Sequence, residues 1–236
     1  MNSTVEAIVL SRIPYSEHSY IINLYTKEEG RTVAFLRGNS RKKAAQTLMV
    51  HPLALMSFTL EGKGQMPYVK HYESVMPMQT LPFDPIKSCV ALFLAEMLSL
   101  TLKERCADQR LFDFIKTHIA MLDTLTEGIA NFHIYFLLHL SRWLGFAPNL
   151  DQHGDYIDLR EGIMTPTPPL HPDYTSPEIT KCWHYFLNTD YAEAGKMPLS
   201  RASRKQCLEQ VVKFYQIQMP EIKEIKSLNV IQQVFD

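Results

Sequence analysis

Cysteine is scarce in this chain: Cys89, Cys106, Cys182 and Cys207 are its four, widely scattered and without a CxxC pair. Reduced structural thiols are the reading this supports. Long apolar runs are missing as well. The best candidate, Cys89 to Leu102, is interrupted by Glu96 and too short to cross a bilayer. The N-terminus lacks the basic region and apolar run of a signal peptide, so no membrane partner and a cytoplasmic location are expected. Absent too are a P-loop, a GxGxxG after a strand, an HExxH and a GxSxG. With them go the phosphate cradle, the dinucleotide site, the zincin helix and the nucleophile elbow. Cys182 and His184 are two residues apart and point to different sides of a helix, so they form no nucleophile couple by themselves. His118, His133 and His139 fall on apolar helical segments and read as core histidines. The expectation is a protein that is not an enzyme and holds no cofactor and no metal.

Excess charge is also lacking, since the formal net charge of the 236 residues is -1. It is unevenly placed. The first 80 residues hold nine Lys or Arg against six Asp or Glu, and the remainder 15 against 19. From Arg31 to Lys43 there are five cations, Arg31, Arg37, Arg41, Lys42 and Lys43, and no acid. Such a track suits a nucleic-acid backbone, with Phe35, Tyr25 or Tyr68 as a stacking surface. A solvated basic loop beside core aromatics is the competing reading.

What precedes that track is strand-like. Ala7 to Arg12, Ser19 to Thr26 and Arg31 to Leu36 are apolar and aromatic runs separated by turn formers. Leu53 to Leu60 and Gln65 to Val75 flank a connection containing Gly62 and Gly64. Five short strands imply a small closed barrel, SH3-like or OB-type. Period two puts Arg31, Val33, Phe35 and Arg37 on one face and Thr32, Ala34 and Leu36 on the other.

From Asp84, an N-cap before Pro85, the period becomes helical. Cys89 to Leu100 and Phe132 to Leu144 are apolar almost all round and are expected at the centre of a bundle. Asp108 caps an intervening helix, and Gly145 and Pro148 end the Phe132 helix. Asn149 to Thr175 is a proline-rich loop with a small hairpin around Gly162. Helices near Ser176 to Leu187, Ser200 to Met219 and Lys226 to Phe235 complete the chain. The architecture expected is α+β: a five-stranded barrel over residues 1-80, then an all-α helical domain over 81-236 with an irregular insertion near 149-175.

The order of landmarks resembles the RecO family of bacterial recombinational DNA-repair mediators. The matching pieces are Ala7-Ile8-Val9-Leu10, Tyr15-Ser16-Glu17, Leu24-Tyr25-Thr26 leading to Gly30-Arg31, and Arg37-Gly38 before the basic run. Trp143 to Leu150 and Ile225-Lys226-Ser227-Leu228 extend the resemblance toward the C-terminus. It implies an OB-type N-terminal barrel that binds single- and double-stranded DNA, and a helical domain that binds proteins. The implied work is annealing of complementary strands, contact with the acidic, hydrophobic C-terminal tail of the single-stranded-DNA-binding protein, and joining RecR to load RecA. Many RecO relatives carry paired cysteines in the proline loop, whereas this chain has Asp151-Gln152-His153-Gly154 there. A structural zinc site needs four ligands, so none is expected.

The expected DNA contacts are Arg31, Arg37, Arg41, Lys42 and Lys43 with Phe35, and Lys63 and Lys70 from the last hairpin. Arg142 and the group Arg201, Arg204 and Lys205 are candidates for protein partners. Two other classes stay open: a protein-interaction adaptor whose basic loop is only solvated surface, and an RNA-binding barrel that reads the 2′-hydroxyl.

Overall fold

The computed structural model describes residues 2–17, 19–38, 48–62, 64 and 66–235. Five strands come first: β1 Asn2–Ser16, β2 Ser19–Thr26, β3 Gly30–Arg37, β4 Leu55–Glu61 and β5 Tyr68–Ser74. They lie in the order β1-β2-β3-β5-β4, and β4 pairs back onto β1 to close the barrel. Every pairing is antiparallel except β3 with β5. That order is of the OB type, which resolves the choice that periodicity leaves open.

Alternation decides what fills the barrel. Val5, Ala7 and Val9 from β1, Ile22 and Leu24 from β2, Ala34 and Leu36 from β3, and Met56, Phe58 and Leu60 from β4 form one buried cluster. The alternate residues of β3, Arg31 to Arg37, point away from it, as a pleated strand requires. β1 outruns the expected Ala7 to Arg12. The strand continues through Pro14, which pairs with Tyr20, and its register shifts between Val9 and Ser11 and again between Pro14 and Ser16. Proline is tolerated at such irregularities.

Gly30 closes the β2–β3 turn with φ of 73°. A Cβ there would stand 2.4 Å from the Cys106 carbonyl oxygen, so the position requires glycine for space as well as for its dihedral. The next residue, Arg31, donates its backbone N–H to the Glu104 carbonyl at 3.1 Å. The turn is thereby tied to the chain between the first two helices.

Those helices are α1 Pro85–Thr101 and α2 Gln109–Thr124. The Asp84 carboxylate accepts from the N–H groups of Ile86 and Lys87, and Asp108 accepts from Leu111 at 2.9 Å, both as N-caps. α1 packs on β1, and Phe112 of α2 stacks on Tyr25 with ring centroids 6.2 Å apart. The barrel, α1 and α2 form one compact unit, Met1–Thr124.

The second unit, Leu125–Asp236, holds α3 Ile129–Trp143, a hairpin of β6 Tyr156–Asp158 and β7 Ile163–Thr165, α4 Pro177–Asn188, α5 Tyr191–Ala194, α6 Arg201–Gln218 and α7 Leu228–Val234. Its core contains Phe132, Phe136, Trp183, Phe186, Phe214 and Tyr215, all buried, and the Tyr215 hydroxyl donates to the Leu137 carbonyl at 2.7 Å. The short α5 escapes a periodicity reading because one turn is too brief to show a stripe; Asp190, accepting from Glu193 N–H, starts it. In the proline loop the Asp173 carboxylate meets Arg160 at 2.6 Å and Lys213 at 2.8 Å, and Asp158 faces His171 at 3.1 Å. Charge pairing thus holds the loop to α6. His133 is buried against the Phe235 ring, and desolvation, reinforced by the Arg204 charge, pushes its pKa down to about 3. His139 Nε2 lies 2.9 Å from the Phe186 carbonyl. Both sit as core histidines do.

Candidate functional site

Strand register builds the site. Ile13 pairs with Ile21, Ile21 with Phe35, and Phe35 with Tyr68. Four side chains therefore form one row across β1, β2, β3 and β5, about 14 Å long at ~4.8 Å per strand. Ile13 is 51% exposed and Tyr68 49%, while Ile21 and Phe35 are half-buried between them. Tyr15, two residues along β1 and so on the same face, is 66% exposed. Its ring centroid lies 5.3 Å from that of Phe35 at an interplanar angle of 77°, and Tyr68 takes the same distance on Phe35 at 74°. Arg37, the next outward residue of β3, holds its guanidinium 4.8 Å over the Tyr68 ring. An uncovered run of aromatic and aliphatic side chains on a barrel marks an interaction surface, and Arg37 gives this one a positive border.

The structure brings together only part of the expected set. Phe35 and Arg37 lie on the exposed row. Arg41, Lys42, Lys43 and Lys63 lie outside the described residues. Lys70, on β5 beyond Tyr68, is exposed and stands 3.5 Å from Glu61, which offsets its charge. Arg31, expected on the contact face, is instead half-buried at the other end of β3. Its Nη2 donates to Asn23 Oδ1 at 3.2 Å and to Ser99 Oγ of α1 at 3.0 Å, and desolvation lowers its pKa. Arg31 fastens α1 to the barrel. Tyr25, considered for stacking, is buried beneath α2; desolvation, with Asp108 and Cys106 nearby, pushes its hydroxyl up to about 12. Both placements have one cause. Helices α1 and α2 cover the end of the sheet where these residues emerge, and period two specifies a face without saying what covers it.

Sequence reasoning missed Ile13, Tyr15 and Ile21. The alternation Ser11, Ile13, Tyr15 was the available signal, obscured by Pro14, which reads as a strand end.

In the second unit Arg201, Arg204 and Lys205, from the first turns of α6, line a small groove with Leu208, Ile231 and Phe235. Arg204 is held inward: Nε donates to Asn131 Oδ1 at 3.2 Å and Nη2 to the Leu199 carbonyl at 3.0 Å. Arg201 and Lys205 are exposed and form the cationic rim. Arg142 is elsewhere, donating to the Leu187 carbonyl at 2.6 Å near the end of α4. Another concavity, of about 370 Å³ and on the barrel unit, is lined by Met49, Met56, Met76, Met78 and Phe83 with His51 as the single ionisable group among the described residues of its lining.

Two family models match the chain: Recombination protein O N terminal over residues 1–78 and Recombination protein O C terminal over residues 82–157. Among curated proteins, the DNA repair protein RecO of Bacteroides fragilis is 33% identical over 235 residues, covering 97% of each chain. The protein of the same name from Phocaeicola vulgatus is 32% identical with 97% coverage of each chain. That of Flavobacterium johnsoniae is 28% identical over the full length of both.

Proposed function

We propose that this chain, which belongs to the RecO family of DNA repair proteins, binds DNA through the exposed face of its barrel and acts there as a recombination mediator. The observation that carries the reading is Arg37 stacked on Tyr68 beside Phe35, immediately before a chain segment with three further cations and no acid. Phosphates are attracted along that segment and release their counterions, which supplies affinity with little regard to sequence. Two strands held on such a surface lose much of their mutual repulsion and meet at high local concentration, the physical requirement for annealing. No bond is made or broken by the protein in this mechanism. Single- and double-stranded DNA both carry the required phosphates.

Photo-cross-linking tests the location. An oligonucleotide carrying 4-thiothymidine, irradiated with the full chain and digested, is expected to mark peptides containing Tyr15, Phe35 or Tyr68. Adducts confined to residues 125–236 would sink the assignment of the barrel face.

The groove of the second unit supports the protein-partner half of the same reading. An acidic peptide with an apolar end, such as the tail of a single-stranded-DNA-binding protein, would set its carboxylates toward Arg201 and Lys205 and its end beside the half-buried Phe235. Joining RecR and delivering RecA to the coated strand belong to this reading as consequences of family membership. Changing Arg201 and Lys205 together to Glu is expected to weaken binding of such a peptide at least about tenfold, by turning two attractions into repulsions. An unchanged Kd by fluorescence anisotropy would remove the groove from the account.

A further inference from the structure

We infer that Cys182 and Cys207 are a modification site, a thiol pair that a peroxide converts to an intrachain disulfide between α4 and α6. The inference is independent of the DNA reading. The two sulfurs stand 3.4 Å apart, one from each helix, and both side chains are buried. Each lies on the apolar stripe that its helix turns inward, Cys182 with Ile179, Trp183 and Phe186, and Cys207 with Leu208, Val211 and Phe214. A cysteine at only one of these positions would be a small apolar filler. Two facing cysteines in sulfur contact are a different matter, because a disulfide holds its sulfurs ~2.05 Å apart. Closing the remaining gap asks each Sγ to move by about 0.7 Å. A small rotation about each Cα–Cβ bond supplies that without parting the helices.

The chemistry balances with hydrogen peroxide as the oxidant. One sulfur, as thiolate, attacks the O–O bond and becomes a sulfenic acid, and the hydroxide released takes up the thiol's proton as water. The second sulfur then displaces hydroxide from that sulfenic acid, which leaves with the second proton as water. Each sulfur has given up one electron, and one peroxide has become two waters. The fold itself keeps the pair reduced at rest. Burial, with Cys182 alongside, pushes the Cys207 thiol well up, and a covered, protonated sulfur is a poor nucleophile. Oxidation therefore waits on local opening of the second unit. Once one sulfur is oxidised, its partner is already in place to capture the sulfenic acid before it goes further up the oxidation ladder. The resulting bond joins positions 25 residues apart, and so restricts the unfolded chain more than the folded one.

The experiment uses the full chain with Cys89→Ser and Cys106→Ser, which leaves the buried pair as its only thiols. Hydrogen peroxide is added in urea just below the unfolding midpoint, to allow opening. The chain is expected to lose about 2 Da, to yield a peptide linking Cys182 to Cys207 on non-reducing digestion, and to recover both thiols with dithiothreitol. After removal of urea the cross-linked form should melt above the reduced one by roughly 10 °C. Wild type, digested in the same way, gives the same linked peptide and serves where the serine variant fails to fold. Thiols that both stay free, or a cysteine that gains oxygen atoms in place of the cross-link, overturn the site. A cross-linked form that melts below the reduced one overturns it as well, since the bond would then belong to a distorted chain.

Discussion

Replacing Asp123 by Ala should lower the thermal midpoint of the barrel unit by roughly 10 °C, from a loss on the order of 3 to 5 kcal/mol. Asp123, at the end of α2, is buried, and its carboxylate accepts from three successive backbone N–H groups: Gln79 at 2.9 Å, Thr80 at 2.8 Å and Leu81 at 2.7 Å. Lys87 of α1, also buried, donates to the Asp123 carbonyl at 2.7 Å and to Thr80 Oγ1 at 2.6 Å. The carboxylate thus ties the chain leaving the barrel to α2, and the backbone carbonyl of the same residue receives Lys87 of α1. Alanine leaves three backbone donors without their acceptor and takes a negative charge from beside Lys87, whose bonds to the residue-123 carbonyl and Thr80 remain; a buried polar group stripped of its partner costs more than the bond contributed.

The same site sets a pH dependence. Burial pushes the Asp123 carboxyl up, but the donors from Gln79, Leu81 and Thr80 and the Lys87 charge outweigh it and hold its pKa below the usual range. A group whose pKa falls on folding contributes stability that is complete above its unfolded value of about 3.9. That contribution is lost as pH falls through the lower folded value. Wild type should therefore lose stability toward acid below about pH 4 more steeply than Asp123→Asn, which has no charge to titrate. Calorimetry of the two proteins between pH 3 and 7 checks this, and parallel curves would show that the carboxylate does not act as described.

Asp123 was invisible in the sequence, although the elements it joins were legible. The caps Asp84 and Asp108 announced two helices, because each combines a short polar acceptor with the start of an apolar period, and two more were legible near Ser176 and Ser200, which the structure shows to be caps as well. The barrel strands were legible for a similar reason: Thr32, Ala34 and Leu36 alternate with Arg31, Val33, Phe35 and Arg37. Contacts at long sequence separation left no such mark. Nothing local in Asp123 says that it meets residues 79 to 81, and nothing in Arg31 says that Ser99 lies over it. The candidate site divides along the same line. Arg37 and Phe35 could be found from charge and alternation on one strand, whereas the row needs the register of four strands, and register depends on the bulge between Val9 and Ser11.

The other large effect expected is on DNA. Changing Arg37, Arg41, Lys42 and Lys43 together to Ala should weaken single-strand binding by at least about 100-fold at 50 mM salt. The argument is one of counterions. Each cation that neutralises a phosphate on a single strand adds about 0.7 to the steepness with which log K falls against log salt. Four such contacts contribute close to 3 units, and their loss is felt most at low salt, where released ions gain most entropy. Arg37 lies outside the buried cluster inside the barrel, and the variant is expected to keep the thermal midpoint of wild type, which separates lost charge from lost folding. Four lysines at these positions keep the charge and should keep most of the slope, which separates charge from side-chain shape.

The direct test of the barrel face as the DNA surface is a titration of the full chain into a fluorescent single-stranded oligonucleotide at several salt concentrations, wild type beside the four-alanine variant. The account predicts tight binding with a steep salt slope for wild type and a slope flattened by about 3 units in the variant. Identical slopes in the two proteins, or no binding by wild type, would contradict it.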